Sequence, residues 1–172
     1  MLQRRQTKQA GFTLIELLLY VALIGILLSS VTAFFGTTLD ARLKNHSVSE
    51  VNDQGTFAMD AMVQAARNAT SITSPVATAS SSGFTVVVPT GSLSPTIFSV
   101  SGGVLQIKEG VGATVPLTNN KVTVSSLTVT NLTRSGTSGI LQISLTLSRI
   151  NPSGRNEYDY QRTFTTSVGL RP

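Results

Sequence analysis

FTLIELLLYVALIGILLSSVTAFF, residues 12–35, carries a single charged side chain, Glu16. As an α-helix rising about 1.5 Å per residue, this run reaches roughly 36 Å, enough to cross a hydrocarbon layer about 30 Å thick. Arg4, Arg5 and Lys8 precede it. Basic residues on that flank keep the first residues in the cytoplasm and send the C-terminal bulk outward. The stretch therefore predicts one membrane-spanning helix with an extracytoplasmic domain behind it.

Glu16 conflicts with that environment, because an acidic residue at the centre of a spanning helix is disfavoured by about 2.5–3.5 kcal/mol, and by less near the end. A cut between Gly11 and Phe12 would place a new α-amino group four residues before Glu16, one helical turn away. The amine can pair with Glu16 of its own chain or, in a bundle, with that of a neighbour. A mismatched stagger would strand both ions in low dielectric, so a single carboxylate is able to encode register.

The order of basic leader, Gly11-Phe12-Thr13-Leu14-Ile15-Glu16 and apolar helix resembles the type IV prepilin signature of pilins, type II secretion pseudopilins and competence pseudopilins. The resemblance is dense over residues 4–35. It implies cleavage after Gly11 by a prepilin peptidase, N-methylation of Phe12, and a Glu16 that docks against the amine of an adjacent subunit. It also implies other pilin-like subunits, the inner membrane, and an assembly platform with its ATPase as partners. The implied place is a single-pass inner-membrane protein with its C-terminus outside, then an extracellular or periplasmic filament. A secretory signal peptide also starts basic, and Val31-Thr32-Ala33 would pass as its cleavage site. Its apolar core, however, normally spans about 7–15 residues and carries no glutamate. A plain signal anchor with a snorkelling Glu16 leaves Gly11-Phe12 unexplained.

Beyond the membrane run, the first proline is Pro75, so nothing forbids a helix from residue 12 to about 69. Val48, Val51, Ala58, Met62, Ala65, Ala66, Ala69 and Ile72 recur mostly three or four apart, with Gly55 filling a gap in the stripe. The outer half of the helix is therefore amphipathic. Gly25 and Gly36 are candidate weak points, each costing about 1 kcal/mol relative to alanine.

Residues 70–82 are rich in Ser, Thr and Ala and read as a connector. Runs with strand character follow at 84–88, 96–100, 104–108, 122–130, 140–150 and 158–168, and Ser101-Gly102-Gly103 reads as a tight hairpin. Val122, Val124, Leu127 and Val129 alternate with a slip at Ser125-Ser126, while Leu141, Ile143, Leu145 and Leu147 alternate with polar residues. The expected fold is α+β and pilin-like: a long N-terminal helix, transmembrane then amphipathic, packed on a C-terminal antiparallel β-sheet with one wet face. The expected organisation is a leader at 1–11, a membrane or filament-core helix at 12–36, an amphipathic helix at 37–69, the connector at 70–82 and a β domain at 83–172.

Catalytic material is sparse. The single histidine, His46, falls on the helix, cysteine is absent, and neither a Gly-rich phosphate loop nor a G-x-S-x-G elbow occurs. A structural subunit is expected, with no enzymatic activity, cofactor or metal. Asn156, Glu157 and Asp159 in the polar stretch 151–160 have calcium-type oxygens, although a polar hairpin gives the same composition. The formal charge is +5, from 13 basic against 8 acidic residues, but three of the basic ones precede Gly11. The rest are scattered, so nucleic acid is not an expected partner. Residues 164–171 resemble the terminal strand of larger minor pseudopilins and minor pilins, which favours a minor subunit. The alternatives are a tip-located binding module for adhesion or DNA uptake and a solitary membrane-anchored domain.

Overall fold

The computed structural model describes residues 11–171. The leader predicted at 1–11 thus lies outside the described residues, apart from Gly11. Among the described residues one α-helix, α1 (Leu14–Arg67), is followed by nine strands. The chain divides within α1 into two compact units, Met1–Arg42 and Leu43–Pro172.

In the first unit the described residues are exposed, with only Glu16 and Thr38 half-buried. This part of α1 is long and apolar enough to cross a membrane. Its hydroxyls are accommodated internally: Ser29 Oγ donates to the Gly25 carbonyl at 2.8 Å and Thr32 Oγ1 to the Leu28 carbonyl at 2.9 Å. Bonding to the preceding turn lets such residues sit in an apolar span without an unsatisfied donor. The helix runs unbroken through Gly25 and Gly36, and a methyl group at either would meet open space.

In the second unit, the rest of α1 buries Ser47, Val51, Gly55, Ala58, Met59, Met62 and Ala66. The predicted stripe is shifted at one end, where Ser47 replaces Val48 because its Oγ is satisfied by the Leu43 carbonyl at 3.0 Å. Gly55 is more than a gap in the stripe. A Cβ there would overlap the ring of Phe164, so the missing side chain admits the aromatic. The helix ends at Arg67, two residues short of the expected Ala69.

The helix faces antiparallel strands, but in two sheets where the sequence predicts one. The first has the order β1 (Ser71–Ser74), β3 (Phe84–Val87), β4 (Thr96–Ser101), β5 (Val104–Glu109), β6 (Val115–Pro116). The second has the order β2 (Ser80–Ser81), β7 (Val122–Asn131), β8 (Ile140–Arg149), β9 (Gln161–Gly169). The division begins in the stretch read as a connector. Residues 70–82 contribute β1 to one sheet and β2 to the other, and Asn131 Nδ2 fixes the turn between them by donating to the Pro75 carbonyl at 2.8 Å. The last strand starts at Gln161 because residues 156–158 form a 3-10 turn.

Between β4 and β5, Gly102 and Gly103 adopt φ of 58° and 77°. These are the paired left-handed conformations of a two-residue hairpin turn. The Gly103 carbonyl accepts the Val124 N–H at 2.7 Å and so ties the first sheet to the second. The slip expected at Ser125-Ser126 is a register shift between Val124 and Ser126, after which Leu127 and Val129 return to the inner face. Leu141, Ile143, Leu145 and Leu147 are fully buried beside them. Phe84 and Phe98, cross-strand neighbours in the first sheet, stack at 4.6 Å between centroids. The opposite face of the second sheet is a hydroxyl ladder, with Ser125–Ser148 at 2.8 Å and Thr146–Thr163 at 2.9 Å.

Candidate processing and assembly site

Gly11, Phe12 and Thr13 are exposed and outside regular structure, and the helix begins immediately after them. Thr13 is the reason for that boundary. Its Oγ1 accepts the Glu16 N–H at 3.3 Å, and its carbonyl accepts the Leu17 N–H at 3.2 Å. Thr13 with Glu16 three residues on is the sequence pattern of a capping box, and such a cap stabilises a helix by about 1 kcal/mol. The Gly11–Phe12 peptide bond therefore lies in an exposed, non-helical segment.

Glu16 sits in the first turn, where a negative charge complements the helix dipole by about 0.3–1 kcal/mol. Tyr20, one turn further along, donates its phenol to Glu16 Oε1 at 3.4 Å, and the Phe12 ring lies edge-on to the Tyr20 ring at 5.9 Å. Phe12, Glu16 and Tyr20, spaced by four, thus share one face. The three sequence-predicted residues fall within one short segment, Gly11–Glu16. Thr13 and Tyr20 are additions from the structure. The S/T-x-x-E spacing was a readable signal for Thr13, whereas Tyr20 looks like any other member of the apolar run.

Away from this end, a polar cluster joins α1 to two loops. Glu50 Oε1 accepts Asn119 Nδ2 at 2.6 Å, and Lys121 Nζ lies 3.7 Å from Glu50 Oε2. The Asn119 hydrogen bond, aided by the positive charges of Lys121, Arg149 and His46, holds the Glu50 carboxyl below its ordinary range against the opposing effect of burial. In the loop read for calcium-type oxygens, the Lys44 ammonium donates to the carbonyls of Asn156 and Asp159 at 3.2 and 2.6 Å. Among the described residues no three acidic or His side chains gather as a metal-binding group.

An N-terminal helix that is apolar and unburied at its start and packed on antiparallel sheets further along defines a pilin-like architecture. Residues 6–32 match the family model of the prokaryotic N-terminal methylation motif, the type IV prepilin-like signal. The motif supports a type IV pilin-like protein, a pilin or pseudopilin, and implies processing by a peptidase and assembly with other pilin subunits. The apolar helix behind it fits an inner-membrane-anchored pilin. Neither curated proteins nor solved structures gave a match.

Proposed function

We propose that the chain is a minor pilin or pseudopilin: a non-catalytic subunit, cleaved between Gly11 and Phe12 and methylated on the Phe12 amine. It then packs into a type IV pilus-like filament with its C-terminal domain outside. The supporting observation is the coincidence, inside the matched motif, of an exposed Gly11–Phe12 bond with the lone acidic side chain of the unburied apolar run 12–35. Among the described residues the Glu16 carboxylate accepts only the neutral Tyr20 phenol. A neighbour's amine supplies the missing positive charge, and the pair then fixes the stagger of adjacent helices. The assembly platform and ATPase are the expected machinery. Mass spectrometry of the chain from cells with and without the peptidase tests the processing step. The expected mature species starts at methylated Phe12, and residues 1–11 retained in assembled filaments would rule the proposal out.

A further inference from the structure

Two sheets have four edges: β1 and β6 in the first, β2 and β9 in the second. An open edge offers a row of backbone N–H and C=O groups to any passing strand, and folds blunt such edges with brevity, proline, charge or bulges. Three edges are blunted here. β1 has four residues, is irregular against β3 and runs into Pro75. β2 has two residues, and β6 has two of which one is Pro116. Beyond β2 the flank of β7 is bulged, and its Val124 N–H is already bonded to Gly103.

β9 shows none of these protections. It has nine residues without proline, keeps unbroken register with β8 from Gln161 to Gly169, and exposes six of its nine residues. Its one charge is turned away from guard duty: Arg162 Nη1 donates to Asn52 Oδ1 on α1 at 2.7 Å, and the guanidinium lies 5.1 Å from the Phe164 ring centroid. Residues 163–168, Thr-Phe-Thr-Thr-Ser-Val, are uncharged and almost all β-branched or aromatic. Such a segment on an open edge pairs with another strand whenever one is offered.

We infer that β9 is an assembly strand that extends the second sheet by pairing with an extended segment of a different pilin-like subunit. The inference rests on the filament role proposed above. Contacts between copies of one chain in a filament are heterologous, joining two unlike patches, whereas β9 against β9 is isologous and closes on itself. Among the described residues a heterologous edge mate within this chain would have to be β1, β2 or β6, and none is longer than four residues. The mate therefore belongs to a non-identical subunit. Its chemistry is set by β9: backbone hydrogen bonds along the edge, hydroxyl or β-branched side chains continuing the Thr165 face, and apolar ones continuing the Phe164 face.

The test places a benzoylphenylalanine photo-crosslinker at Thr165 in the full chain, in cells that assemble the filament. A control sits at Thr128, in the same cross-strand row but on β7. Thr165 should crosslink to a strand-forming segment of a different subunit bearing the same N-terminal signal, with about tenfold higher yield than Thr128. An adduct with a second copy of this chain, or equal yields at the two positions, overturns the inference. Thr165→Lys with Ser167→Lys, both on exposed positions, should leave the melting temperature unchanged and reduce co-isolation of that subunit by about tenfold. Undiminished co-isolation overturns it as well. Normal processing and partner co-isolation with a silent Thr165 refute the edge alone. A wild-type chain that keeps its leader and co-isolates with no pilin-like subunit refutes the filament role too.

Discussion

The two halves of α1 share a backbone conformation and little else. Up to Arg42 the helix leaves its leucines, isoleucines and phenylalanines exposed, whereas from Leu43 onward it buries a narrow stripe of small and medium side chains. Leu23 is half exposed, while Met62 and Val51 are fully buried. Helical structure alone thus says nothing about what stabilises it. The first half is apolar on all sides and is matched to lipid or to other helices. The second is apolar on one side and is held by sheets of its own chain.

The largest effect expected from breaking this contrast falls on the first half. Glu16→Gln should leave membrane insertion intact and the melting of the second unit unchanged, yet reduce incorporation into filaments by at least about 100-fold, since a stranded partner charge costs about 3–5 kcal/mol. Quantifying the subunit in isolated filaments and in membranes checks both parts. Next comes Leu145→Ala, in the fully buried row of β8, which should destabilise the C-terminal unit by about 2–5 kcal/mol in denaturant titration. Leu23→Ala, an equal deletion in the first half, should leave that transition unmoved. Gly55→Ala should cost about 1–3 kcal/mol through overpacking against Phe164, more than the roughly 1 kcal/mol gained in helix propensity. Gly25→Ala and Gly36→Ala, in the first half with open space around them, should likewise leave that transition unmoved.

The smallest effect concerns Glu50. Its carboxyl is held below the ordinary value of 4.5, so its contribution is present above that pH and is lost as pH falls through the lowered folded value. Glu50→Ala should cost about 1 kcal/mol at pH 7, as for one lost hydrogen bond, and nothing at a pH where the wild-type carboxyl is protonated. Thermal melts at the two pH values measure the difference.

The features legible in the sequence are those that a single segment determines. Residues 12–35 declare themselves by one charge in an apolar run, and β7 and β8 by alternation clear enough to reveal the bulge at Ser125-Ser126. β1 and β2 were illegible because strands of four and two residues, all Ser, Thr and Ile, acquire their identity from β3 and β7. The split into two sheets follows from the same pairing and was hidden with it. Ser47 and Gly55 look out of place in an apolar stripe until their partners, the Leu43 carbonyl and the Phe164 ring, are known. Of the candidate site, Gly11, Phe12 and Glu16 were readable as a motif, whereas Tyr20 needed the geometry.

The cap at Thr13 also bears on maturation. The first bonds of α1 are anchored on Thr13 itself, through its hydroxyl and its carbonyl. A scission one residue upstream would remove none of these bonds, so a trimmed chain would keep the same helical start. Trimming would change the local charge without a refolding step, leaving the subunit competent the moment the leader departs.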